Sequence, residues 1–162
     1  MTIKVLTTGG TFDKIYFDVY SEFSIGEPII GEMLKEANCS LSVEIESILK
    51  KDSIDMNDDD RQTIFKAVES ADCDKILITH GTDTMVETAR CLQGISDKTI
   101  VLFGAMQPAR MRYSDAMYNL GVATMAVQLL PAGVHLAMNG QIFAPDTVHK
   151  NRAIGKFEET SV

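Results

Sequence analysis

Three short apolar runs, each closed by glycine, constrain this chain more than any other feature of its sequence. Ile3–Thr8 leads into Gly9-Gly10, Lys75–Thr79 into His80-Gly81, and Thr99–Phe103 into Gly104. Runs that stay apolar without alternation suit strands buried on both faces. Leu41–Glu46 alternates apolar and polar residues instead, as a strand wetted on one face does, and is placed nearer a sheet edge. Helical patterns separate the strands, at Pro28–Ala37, Asp58–Ala71, Thr84–Leu92 and Ser114–Leu130. Asn57 can cap the second of these, and Asp58, Asp59 and Asp60 sit where the helix dipole is positive, so the acidic run reads as a helix start rather than a cation site. Val134–Met138 and Gln141–Ala144 flank Asn139-Gly140, a strong two-residue hairpin signal. Strand alternating with helix predicts an α/β fold, a Rossmann-like three-layer sandwich with a mainly parallel central sheet and a C-terminal β-hairpin. The stretch after Lys150 shows no clear pattern and is expected to be loosely specified.

The 162 residues predict one domain, 1–162. Twenty-three acidic against 15 basic side chains give a net charge of −8, a field that repels phosphate backbones and anionic membranes. Neither nucleic acid nor membrane is expected as a partner. Leu120–Leu130 is broken by Thr124 and Gln128 and falls far short of the ~20 residues a membrane span needs. The apolar run after Lys4 is too short for a signal-peptide core, so no export is expected. Cys39, Cys73 and Cys91 are odd in number and contain no C-x-x-C pair, which suggests neither a disulfide framework nor a zinc site. They are expected to be inert, buried thiols of a cytoplasmic protein.

In a sheet of this kind ligands bind beyond the carboxyl ends of the strands. Three loops qualify: Thr8-Gly9-Gly10-Thr11, His80-Gly81-Thr82-Asp83-Thr84, and Gly104-Ala105-Met106-Gln107-Pro108. The first is glycine-rich but lacks both G-x-G-x-x-G and G-x-x-x-x-G-K-[ST], so a nucleotide reading is set aside and no cofactor or metal is expected. What remains is a Gly9-Gly10 pair whose N–H groups can meet an oxyanion, next to the Thr11 hydroxyl. The second loop offers another hydroxyl, Thr82, beside the carboxylate of Asp83. A threonine hydroxyl is a poor nucleophile without an adjacent base. His80 lies at a strand end with no reason to aim at Thr82, and is read as structural.

Thr8-Gly9-Gly10-Thr11 and Ile78-Thr79-His80-Gly81-Thr82-Asp83-Thr84-Met85-Val86-Glu87-Thr88-Ala89 closely resemble the two signature segments of the bacterial-type L-asparaginases. Ser53–Asp58, Gly104–Pro108 and Met138–Lys150 match further, in the family's order, so the resemblance spans essentially the whole chain. It implies an amidohydrolase that converts L-asparagine to L-aspartate and ammonia through an acyl-enzyme on Thr11. It also implies a hydroxyl-acid-amine group of Thr82, Asp83 and Lys150 facing that nucleophile. Ser53 would hold the substrate α-carboxylate, Gly81 and Ala105 would offer main-chain contacts, and Thr82 would complete the oxyanion hole or activate water. A lysine accepts a proton near neutral pH only where its surroundings disfavour the ammonium, and a neighbouring carboxylate favours it. Asp83 is therefore assigned to orientation and to substrate binding.

Two departures from the family pattern stand out. Phe23 occupies the position of the family's loop tyrosine, and Tyr16, ahead of Tyr20, is expected to bring a hydroxyl to Thr11 instead. Family members also continue into a smaller second domain that helps build the dimer and lends a carboxylate to the neighbour's site, a domain this chain is expected to lack. Losing such a charge-assisted bond costs ~1.5–3 kcal/mol of substrate affinity. A homodimer is still expected. The alternatives are an asparagine- or aspartate-binding module without efficient turnover, and an amidase subunit of a transamidation complex.

Overall fold

The computed structural model describes residues 1–160. In chain order its regular elements are β1 (Thr2–Gly9), β2 (Lys14–Phe17), β3 (Glu22–Ile25), α1 (Ile30–Glu36), β4 (Ser42–Lys51), α2 (Asp58–Glu69), β5 (Lys75–Thr79) and α3 (Met85–Leu92). There follow β6 (Thr99–Phe103), α4 (Ala116–Leu129), β7 (Gly133–Met138), β8 (Gln141–Phe143), β9 (Val148–Asn151) and β10 (Lys156–Glu159). The central sheet runs β4-β1-β5-β6-β7-β8, parallel except for the last strand, which returns antiparallel on β7.

Side chains on the two faces of the sheet alternate along each strand and pack against different helices. Leu6, Ile76, Ile78, Ile100 and Leu102 face α2 and α3. Ile3, Val5, Leu77, Val101 and Phe103 face α1 and α4. Burial on both sides explains why β1, β5 and β6 read as continuous apolar runs, and it makes the three layers predicted from the sequence. The alternating segment does form the edge strand, β4, which extends beyond the expected boundary to Lys51. Asn57 and Asp60 close a reciprocal capping box at the start of α2, and Lys51 donates to both Asp60 oxygens at 2.9 and 2.8 Å. Asn139 and Gly140 take φ of 54° and 77°, the doubly left-handed pair that joins β7 to β8 in register.

The structure corrects two expectations. From Lys150 to Thr160 the chain is not loosely specified: β9 and β10 pair antiparallel, and Val148 and Phe157, each 1% exposed, anchor the hairpin in the core. The Asn139 side chain accepts from Phe157 N–H at 2.8 Å, tying this hairpin to the β7–β8 turn. Nor are the cysteines all buried: Cys39 and Cys73 are half-buried in the loops that follow α1 and α2, and Cys91 is exposed on α3. A further hairpin, β2–β3, has no counterpart among the sequence patterns. Among the described residues no helix is long and apolar enough to cross a membrane.

Candidate active site

The strand order changes direction at β1, since the chain passes from β1 to β4 on one side and then returns to β5 on the other. The loops after β1 and β5 leave from that switch point, the place where open α/β sheets take their ligands. Thr7 and Thr79 are register partners, and the Thr8 hydroxyl donates to Thr79 O at 2.8 Å, so both loops start from one fixed platform.

Three loops then press together through residues without room for a side chain. Gly10 has φ 77°, and a Cβ there would lie 2.6 Å from Gly81 Cα and N. A Cβ on Gly81 would in turn lie 2.6 Å from Ser53 Oγ. Glycine is required at both places by close approach, and at Gly10 by its left-handed backbone as well. The contact puts the residues that follow, Thr11 and Thr82, on either side of one seam. Thr11 opens a single 3₁₀ turn and is part-exposed, while Phe12 and Asp13 behind it are buried.

Lys150 reaches this seam from β9. Its Nζ donates to Thr82 Oγ1 at 2.7 Å and to Asp83 Oδ1 at 2.9 Å. Arg152, two residues on, lies 3.7 Å from the same Asp83 oxygen. With Lys150 donating, the Thr82 O–H proton is free to point elsewhere, and the Met106 sulfur lies 3.8 Å away. Lys150 is the cross-strand partner of Phe157, so the buried phenyl ring fixes the strand that presents the amine.

The other predicted residues divide. Ser53 is completely buried beneath Gly81, its carbonyl accepting from Thr84 Oγ1 at 2.8 Å and its hydroxyl from Thr84 N–H at 3.4 Å. Contact between that hydroxyl and a ligand therefore requires the Gly81 loop to give. Tyr16 is 52% exposed and its ring packs on Phe23, its cross-strand partner in the β2–β3 hairpin, at 5.3 Å between centroids. No hydrogen bond joins its hydroxyl to Thr11 among the described residues, and Tyr20 is exposed on the same hairpin. His80 is wholly buried: its ring nitrogens sit 2.7 Å from Gly81 O and 2.8 Å from Thr88 Oγ1. Burial pushes its pKa down to about 4, so the ring is neutral at pH 7, with Nδ1–H donating to the Gly81 carbonyl and Nε2 accepting from Thr88.

Ala105, 1% exposed, is held by residues that sequence reasoning did not single out. Asp115 accepts from Met106 N–H with both oxygens at 3.0 Å and from Gln107 N–H at 3.0 Å. Asn119, one turn along α4, donates from Nδ2 to Gly104 O at 2.9 Å and to Asp115 Oδ2 at 3.0 Å. The spacing of an acid and an amide at i and i+4 was visible in the sequence, but its targets, main-chain groups about ten residues upstream, were not.

The family model described as "Asparaginase, N-terminal" matches residues 2–157. The chain belongs to the asparaginase family. A Haemophilus influenzae protein named "Probable L-asparaginase periplasmic" is 34% identical over 91% of this chain and 46% of its own length. A glutamyl-tRNA(Gln) amidotransferase component from Methanococcus vannielii is 32% identical over 86% of this chain and 34% of its own. The solved structure of the thermostable L-asparaginase from Thermococcus kodakarensis superposes with a TM-score of 0.86 and 29% identity, covering 98% of this chain and 51% of that one. This asparaginase-family chain thus spans about half the length of such asparaginase relatives.

Proposed function

We propose that this chain is the catalytic domain of an amidohydrolase that converts L-asparagine to L-aspartate and ammonia. Thr11 Oγ bonds to the side-chain amide carbon, its proton passing to the Thr82–Lys150 pair, and the carbonyl oxygen becomes an oxyanion. Collapse breaks the C–N bond, and ammonia leaves with a returned proton, giving an ester on Thr11. Water attacks the ester carbon next, its proton passing through the same pair to Thr11 Oγ as the C–Oγ bond breaks, which releases aspartate and restores the free hydroxyl. N–H groups of the Gly81 loop would stabilise the oxyanion, since donors fixed before the reaction cost no reorganisation during it; the Gly10 N–H, expected from the sequence to help, is instead given to Lys51 O at 3.0 Å. Ala105 would add a main-chain contact, and Ser53, once the Gly81 loop gives, a hydroxyl for the α-carboxylate. Tyr16 would act only if the hairpin closes over the ligand.

The observation that carries this reading is the 2.7 Å bond from Lys150 to a hydroxyl at the seam where the two glycine loops touch. Ammonia release from L-asparagine by the purified chain tests it. Binding of L-asparagine without ammonia at millimolar concentration would instead support a binding module. The relative named as an amidotransferase component favours a second reading, in which the ammonia passes to a partner. Copurification of a partner or RNA with the chain would support it. A homodimer is part of the proposal, and sedimentation reads it directly. So is a cytoplasmic location, which the free thiols favour; the relative named as periplasmic speaks the other way, and cell fractionation decides between them.

A further inference from the structure

Asn119 sits on the inner face of α4 among Ala116, Leu120, Ala123 and Val127, and is itself 1% exposed. Its amide cannot be turned round, since the nitrogen faces two acceptors, Gly104 O and an Asp115 carboxylate oxygen. In that orientation its own Oδ1 is buried with no partner among the described residues. An orphaned buried acceptor lowers stability, so packing alone would not select an asparagine here. Locally unfavourable choices of this kind cluster at functional positions. The two bonds Asn119 makes both bear on one short segment. Gly104 O is held by Asn119, Met106 N–H and Gln107 N–H are held by Asp115, and Ala105 lies between the held groups. The Ala105 N–H and C=O have no hydrogen-bond partner among the described residues, although the residue is buried.

We propose that Asp115 and Asn119 are positioning residues that fix the Ala105 peptide unit, leaving its N–H and C=O unpaired for the ligand once the Gly81 loop gives. The inference rests on the amidohydrolase reading above and adds to it the source of that segment's rigidity. Because a misplacement of about 1 Å costs about 10²-fold in rate, a small release of the loop is expected to show in turnover long before it shows in folding.

The test compares wild type with Asn119→Leu and Asp115→Asn by thermal unfolding, kcat, KM and L-aspartate affinity. Asn119→Leu removes the orphaned acceptor but leaves the buried Gly104 O without its donor, so the two effects oppose and the variant is expected to unfold close to the wild-type temperature. Its kcat/KM for L-asparagine is expected to fall at least tenfold, and L-aspartate is expected to bind more weakly. Asp115→Asn is expected to lose activity likewise. An Asn119→Leu protein that unfolds early but keeps wild-type kcat/KM would overturn the proposal, leaving the pair a structural brace. Wild type that binds L-aspartate but releases no ammonia refutes turnover alone, and the positioning claim is then read on affinity. Wild type that does neither overturns both.

Discussion

Lys150 Nζ and Thr82 Oγ1, 68 positions apart in sequence, meet at 2.7 Å where β9 crosses the loop leaving β5. The amine also holds Asp83 at 2.9 Å, so a hydroxyl, an acid and an amine share one point at the carboxyl end of the sheet.

Replacing Lys150 with Met keeps the stem of the side chain and removes both bonds. General acid–base help is worth about 10²–10⁴-fold, so kcat for ammonia release should fall by about that factor. KM should change much less, and Asp83 retains Arg152 at 3.7 Å. Steady-state kinetics on Lys150→Met check this, and a loss confined to KM would contradict the assigned role.

Gly81→Ala should damage stability and activity together. The new methyl would stand 2.6 Å from Ser53 Oγ, 2.7 Å from Ser53 Cβ and 3.0 Å from Ser53 N; the hydroxyl can rotate away, but the Cβ and N move only with the main chain. Overpacking of this kind costs about 1–3 kcal/mol, which chemical denaturation would register as a lower midpoint at unchanged slope.

Asp13, two residues beyond Thr11, is 1% exposed; its carboxylate accepts from Ile29 N–H at 3.0 Å and its carbonyl from Gly26 N–H at 2.8 Å, closing the base of the β2–β3 hairpin. Burial pushes its pKa from 3.8 up to about 6. The folded state therefore binds this proton more tightly than the unfolded state, and stability falls as pH rises from 3.8 to about 6. His80 works in the opposite sense: its pKa lies at about 4 instead of 6.5, so stability falls as pH drops through that window. Asp13→Asn keeps an acceptor for Ile29 and abolishes the first effect. The variant should gain up to about 3 kcal/mol at pH 7, and should lose stability between pH 6.5 and 4 more steeply than wild type. Urea unfolding at a series of pH values reads both, and parallel curves for the two proteins would contradict it.

Much of this was legible in advance for one physical reason: strands buried on both faces leave unbroken apolar runs, and Gly10 and Gly81 are forced by contact. The β2–β3 hairpin was not, because its strands are largely exposed and its turn, Asp18–Ser21, has no glycine; Ser21 takes φ 51° instead. The β9–β10 hairpin presents only Val148 and Phe157 to the core, too few for a periodicity. At the site, Lys150 could be paired with Thr82 only through the family resemblance, since nothing local to Val148–Asn151 separates it from a surface lysine. The partners of Asp115 and Asn119 are main-chain groups, which side-chain patterns do not report.

Intact-mass analysis of the protein quenched during turnover of L-asparagine, followed by peptide mapping, tests the central claim most directly. An aspartyl ester should be found on Thr11, and should be absent, with ammonia release abolished, from Thr11→Val. An ester on another residue, or a Thr11→Val protein that still releases ammonia at the wild-type rate, would contradict the account.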